Sequence, residues 1–158
     1  MNGSFESPPV AGYLYTPGPK TTDSRGDQGW FFAGNSAIQA NGSYLSAPTA
    51  PSGIQTAVLQ GTDGRFGIMS QMIHLSAGTY KLSFKAARRS GQIQPVKVSV
   101  NQNRIGELIT PKSDQFEDYT TASFTVGDGL HLIRLEATDG GGDKSVFIND
   151  VTLDGPMR

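Results

Sequence analysis

The chain has no cysteine. That excludes disulfides, thiolate catalysis and Cys-ligated zinc together. It has only two histidines, His74 and His131, so base catalysis has few places to start. It also lacks a surplus of one charge, since thirteen basic and fourteen acidic residues leave a net charge of −1. Non-specific nucleic-acid binding needs clustered Lys and Arg to neutralise phosphates, and this balance excludes it. No apolar run approaches the roughly 20 residues of a membrane-spanning helix, and no signal peptide is visible. Hydrophobic content is only 36 %, and a helix of ordinary length is not indicated anywhere.

What the chain does have is turns and alternation. Twenty glycines and nine prolines in 158 residues fit an all-β domain with many turns. The length is enough for one domain with one good core. Tyr80, Leu82, Phe84 and Ala86 alternate with Lys81, Ser83, Lys85 and Ala87, the period-two signature of a strand with one apolar and one wet face. Ile68, Ser70, Met72 and His74 likewise share one face of a strand running to Leu75. Further strands are expected at 29–32, 55–60, 96–100, 104–110, 116–126, 130–135 and 145–153. Residues 7–28 and 35–53 read as long loops, rich in Pro, Gly, Ser and Thr. The total is about nine to eleven strands, at the spacing of a sandwich.

Two short strand-like pieces stand at the ends, Asn2-Gly3-Ser4-Phe5-Glu6 and Phe147-Ile148-Asn149-Asp150-Val151-Thr152-Leu153. If they pair in one sheet, the Glu6 and Asp150 carboxylates approach, and like charges that close need a cation or a shared proton. Carboxylates, the Asn2 amide and backbone carbonyls are the oxygen donors that calcium takes. The plain alternative is two surface acids that cap turns. The Gly-rich segment between Asp139 and Asp143 is a rival cation loop, without the ligand order of an EF-hand.

These end pieces, together with Gly29-Trp30, the run Gly53 to Leu59, Ser70-Gln71 and the run Gly78 to Arg88, resemble in their order the galactose-binding-like jelly roll of carbohydrate-binding modules. The bacterial, glycoside-hydrolase-associated modules are the nearer comparison, because the plant relatives carry cysteines. The resemblance spans nearly the full chain. It implies an all-β, antiparallel β-sandwich, a structural calcium near the paired termini (Asn2, Glu6, Asp150) and recognition of a polysaccharide or oligosaccharide. It leaves open whether a concave sheet face or the loops at one end hold the sugar.

A sugar ring presents C–H faces that stack on aromatic rings and hydroxyls that seek planar polar partners. Loop-borne Tyr13, Tyr15 and Tyr44, the pair Arg65-Phe66, and the cluster Arg88, Arg89, Gln92 and Gln94 after the best strand are therefore the expected ligand-binding residues. The loop tyrosines equally fit a covering role over the core, and Arg88 fits a cap on the core edge. Trp30, beside Phe31 and Phe32, reads as core. His74 and His131 read as strand residues rather than bases, and no Gly-x-Ser-x-Gly elbow is present. Glu117 and Asp118 are adjacent in a strand, so their carboxylates point to opposite faces and cannot serve one glycosidic bond.

The expectation is a single non-catalytic module, residues 1–158, cut from a larger secreted or cell-surface bacterial protein. It would carry an appended glycan-active enzyme to its polysaccharide, with the enzyme's other domains as neighbours and neither nucleic acid nor membrane as partner. A structural or adhesion sandwich without sugar binding is the alternative.

Overall fold

The computed structural model describes residues 3, 5–6, 12–15, 29–42 and 44–157, with backbone alone for 13–15 and 44. In chain order the strands are β1 (Tyr13–Tyr15), β2 (Phe31–Ala33), β3 (Ser36–Ala40), β4 (Gln55–Thr62), β5 (Arg65–Phe66), β6 (Ile68–Leu75), β7 (Gly78–Arg88), β8 (Val96–Val100), β9 (Asn103–Arg104), β10 (Glu117–Thr120), β11 (Phe124–Val126), β12 (Gly129–Ala137) and β13 (Lys144–Met157). A 3-10 turn at Tyr44–Ser46 is the helical element among the described residues.

The strands form two antiparallel sheets. One runs β1-β3-β4-β13-β7-β10, with β5 attached to β4 and β11 to β7, and the other runs β2-β6-β12-β8-β9. Their inner faces supply one core. Leu82, Phe84 and Ala86 of β7, Ala57 and Leu59 of β4 and Ile148 of β13 meet Phe32, Met69, Val98, Ile133 and Leu135 of the opposite sheet. Trp30 is fully buried against Phe5, with ring centroids 6.1 Å apart, as its strand context requires. The jelly-roll sandwich expected from the sequence is the architecture observed.

A second, smaller cluster lies on the other face of the eight-stranded sheet. Ala37, Val58, Ala87 and Phe147 are buried there beneath Leu45, Ala47 and Phe116. Strand β4 is therefore covered on both faces, and only its last residue, Thr62, is even half-exposed.

Several boundaries differ from expectation for local reasons. Strand β3 lies inside the segment read as a 35–53 loop, because Ser-Ala-Ile-Gln-Ala has weak strand propensity and forms by pairing with β4. The expected strand at 116–126 is split into β10 and β11. At the break the Thr121 hydroxyl accepts the Leu82 N–H at 3.1 Å and donates to the Ala122 carbonyl. The return strand expected at 104–110 shrinks to β9 and a bridge between Val96 and Ile109.

The two ends of the chain do meet. The Gly3 carbonyl accepts the Val151 N–H at 3.0 Å, and a β-carbon on Gly3 would collide with the Val151 carbonyl oxygen. Phe5 and Glu6, however, form no strand.

Candidate functional site

Loop 44–50 and Phe116 roof part of the eight-stranded sheet, whereas the outer face of the five-stranded sheet presents large side chains to solvent. Strand pleating puts Phe31 there while Trp30 and Phe32 point inward. Phe31 is 47 % exposed, and its two neighbours are 0 % and 1 % exposed.

Register extends Phe31 into a row. It pairs with Ser70, Ser70 with Arg134, Arg134 with Ser99, and Ser99 with Arg104. Ser99 is buried and Arg104 is exposed, so short serines alternate with a ring and two guanidinium groups. The next row holds Ala33, Ile68, Glu136 and Lys97. Glu136 accepts ion pairs from Lys97 Nζ and Arg134 Nη2, each at 3.1 Å. On the other side of the Phe31 row stands Met72, which pairs with Leu132.

A pocket of about 200 Å3 opens at the Glu136 end, lined by Phe66, Lys97, Glu136, Ala137 and Thr138. Its parts are a ring, a cation, a carboxylate and a hydroxyl, the set that can stack on an apolar face and exchange hydrogen bonds with hydroxyls. The Phe66 ring packs against Gly140, where a β-carbon would lie 3.1 Å from the ring.

The residues singled out in the sequence divide into groups. Phe66 lies in this pocket, and Arg65 is its exposed neighbour in β5. Tyr13 and Tyr15 hold register positions opposite Gln39 and Ala37 in the other sheet, and Tyr44 opens the 3-10 turn.

Arg88, Arg89, Gln92 and Gln94 gather at the far end of β7 and are bound to their own chain. Arg88 Nε donates to Asp114 at 2.8 Å, and the Arg88 and Ser90 hydrogen bonds hold the Asp114 carboxyl below its usual range. Arg89 Nη1 lies 3.5 Å from Asp143, which also accepts from the Gln60 amide. Gln92 Oε1 accepts the Ser145 N–H. Gln94, buried, donates to the Asp139 and Lys144 carbonyls and accepts the Thr138 and Asp139 N–H groups.

The sequence reading did not single out Phe31, Lys97, Arg104, Arg134 and Glu136, which the register gathers on this face. The signal for them was alternation. Arg134 and Glu136 sit two apart between buried Ile133, Leu135 and Ala137, so both must leave the core on one side.

At the chain ends, Glu6 Oε1 accepts the N–H groups of Ile54 and Gln55 at 2.9 and 3.1 Å. The close fit of this carboxylate under Gly53 leaves no space for a side chain at that position. Gln55 Nε2 donates to the Phe5 carbonyl at 2.5 Å. Asp150 adopts a left-handed φ of 51°, and its charge reaches Lys85, whose pKa is raised chiefly by the Asp118 hydrogen bond. Asn2 lies outside the described residues. Among the described residues, no group of three or more His, Asp or Glu side chains is arranged around a metal position. The donors at the chain ends are carboxylate and carbonyl oxygens, the type that fits a hard cation, although one Glu6 oxygen is already used twice.

Both histidines are placed. His131 is held on both ring nitrogens, Nδ1 by the Asn101 amide and Nε2 by the Gly127 carbonyl, both at 2.8 Å. His74 is solvent-exposed, 3.9 Å from Asp128. Neither is hydrogen-bonded to a serine hydroxyl among the described residues.

No protein-family model matches the chain, and no curated protein sequence matches it. Solved structures do. A family 61 carbohydrate-binding module in complex with β-1,4-galactotriose is 22 % identical, with TM-score 0.56, over 92 % of this chain and 99 % of that one. The CBM22-1 xylan-binding domain from Paenibacillus barcinonensis Xyn10C is 12 % identical, with TM-score 0.56, over 80 % and 85 % of the two chains. A CBM36 module in complex with calcium and xylotriose is 15 % identical, with TM-score 0.54, over 74 % and 93 %. At these identities the likeness establishes the fold.

Proposed function

We propose that this chain is a non-catalytic carbohydrate-binding module and that its ligand lies on the outer face of the five-stranded sheet. The observation that carries this is the Phe31–Ser70–Arg134–Ser99–Arg104 row beside the Phe66–Glu136 pocket. It is an open strip with a ring at one end, fork-shaped donors along it and a carboxylate acceptor alongside. The row crosses five strands, about 19 Å at a strand spacing of about 4.8 Å, room for a short oligosaccharide. The sugars named in the solved complexes, galactotriose and xylotriose, make plant-type polysaccharides the first class to try.

The wider reading is a targeting domain of a secreted bacterial glycoside hydrolase or polysaccharide lyase, with that enzyme's other domains as its covalent neighbours. The rivals offered by the sequence are the loop tyrosines Tyr13, Tyr15 and Tyr44 and, separately, the Arg88–Arg89 cluster. The engagement of both arginines with Asp114 and Asp143 makes the cluster the weaker choice.

Affinity electrophoresis of the wild-type chain in galactan, xylan, β-glucan, mannan and pectin gels tests the function. Retardation by at least one polymer, lost in Phe31→Ala and kept in Arg88→Ala, is the expected result. The opposite ranking moves the site to the β7 end, and silence across the panel ends the sugar reading. Silence would favour the alternative of a protein-interaction sandwich, for which exposed Leu130, Met72 and Phe31 on this same face are the supporting feature.

The reading includes a structural calcium held by Glu6, Asp150 and Asn2, which would neutralise carboxylates and tie the chain ends together. Because the ion would bind the folded form alone, chelation is expected to lower the melting temperature by several degrees, and calcium to restore it. An unchanged melting curve removes the ion from the account.

A further inference from the structure

We propose, building on the sugar-binding reading of this face, that its ligand is an anionic glycan, one that carries carboxylate or sulfate groups along the chain. The Phe31 row and the Glu136 row place three cations, Lys97, Arg104 and Arg134, on the outer face of the five-stranded sheet. One carboxylate, Glu136, is shared by Lys97 and Arg134. Arg104 is exposed and has no ion pair among the described residues. Two positive charges are therefore in excess on this strip, while the chain as a whole has a net charge of −1. General attraction to a polyanion is absent, so any preference for one must come from this local excess. Asp128 and Glu107 form no ion pair with Lys97, Arg104 or Arg134 among the described residues. Asp128 lies beside His74 at the opposite end, and Glu107 follows Arg104 on the edge segment beyond β9.

Geometry adds specificity to charge. Arg134 and Arg104 sit two strands apart, about 10 Å, with buried Ser99 between them. That spacing is of the order that separates acidic groups on successive or alternate sugar rings of a charged polymer. A guanidinium binds a planar carboxylate through two parallel hydrogen bonds, which a hydroxyl cannot offer. Arg134 is already held in place by Glu136, so it presents its remaining donors with little ordering left to do. Phe31 at the end of the row gives the uncharged face of a ring something to stack on.

The test compares one polymer with and without its charge. Polygalacturonate and its carboxyl-reduced form share a backbone, and dextran sulfate with dextran supplies the sulfate arm. Binding of the wild-type chain is measured by isothermal titration at low and at near-physiological salt. Polyuronate is expected to bind at least tenfold more tightly than its reduced form, with the gap narrowing as salt rises. Arg104→Gln, at an exposed edge position, is expected to remove most of that gap with its melting temperature kept. Dextran sulfate bound as tightly as polyuronate supports a site for any anion, and weaker binding supports carboxylate recognition. Equal binding of the charged and reduced forms overturns the anionic preference while leaving carbohydrate binding intact. Failure of every polymer, neutral ones included, overturns both.

Discussion

Gln94 shows how one side chain fixes a loop. Its amide makes four hydrogen bonds, all to backbone groups of residues 138–144, at distances from 2.8 to 3.1 Å. Replacing it with alanine takes the partner from the Asp139 N–H in a half-buried setting, while the Thr138 N–H keeps the Pro95 carbonyl at 3.2 Å, which costs about 1–3 kcal/mol. We expect Gln94→Ala to lose that much in urea denaturation. We also expect it to weaken glycan binding, because the loop it holds carries Gly140 against Phe66. Full stability in this variant would mean that water replaces the amide. The sequence places Gln94 in a polar cluster after a strand but cannot say what the amide faces. A glutamine suits a sugar hydroxyl and a backbone carbonyl equally well, and only the path of residues 138–144 decides. Gly3 and Glu6 have the same ambiguity, since the Val151 carbonyl and the Ile54 and Gln55 N–H groups they meet are distant in sequence.

At the scale of the element, alternation carries most of what can be read in advance. Strand β7 is recognised from Tyr80, Leu82, Phe84 and Ala86, and all four are buried. Strand β2 follows the same rule, which separates two adjacent phenylalanines by role. Phe32→Ala opens a cavity beside Trp30 and Phe5 and is expected to cost about 3–5 kcal/mol. Phe31→Ala removes an exposed ring and is expected to stay within about 0.5 kcal/mol of wild type in stability. Its loss is expected in glycan affinity, about tenfold or about 1.4 kcal/mol. Parallel thermal melts and titrations of the two variants check this, and a destabilised Phe31→Ala would return that ring to the core. Alternation fails where a strand is covered twice. Val58 and Phe147 are apolar on the outer face of their sheet, and their cover comes from Leu45, Ala47 and Phe116. Nothing local announces those contacts. It fails again for β3, whose pairing with β4 supplies what Ser-Ala-Ile-Gln-Ala lacks in propensity.

For the whole molecule, the sandwich was legible because patterned strands separated by glycine turns admit few other packings. The proposed binding face was less so, because Phe31, Arg104 and Arg134 come from three separate segments and are brought into one row by the pairing of β2, β6, β12, β8 and β9. Two ion pairs flank the segments that Gln94 and Arg88 tie down. Lys144 donates to Asp139 at 2.6 Å and Arg88 to Asp114 at 2.8 Å. Both carboxyls are held below their ordinary value of 3.8, Asp139 mainly by Lys144 and Asp114 mainly by Arg88. A carboxyl whose pKa falls on folding stabilises the folded form above the unfolded pKa. That stabilisation drains away as the pH drops through the folded value, because the unfolded chain takes up protons first. The melting temperature is therefore expected to hold from about pH 7 to about pH 5 and to fall once the pH passes below about 4. Both pairs are solvent-screened, so each contribution is small and weakens with salt. Asp139→Asn keeps an acceptor for the Gly141 N–H but removes the titration, so its acid slope is expected to be shallower than that of wild type. Superimposable acid slopes for the two proteins would show that Asp139 takes no part in the linkage.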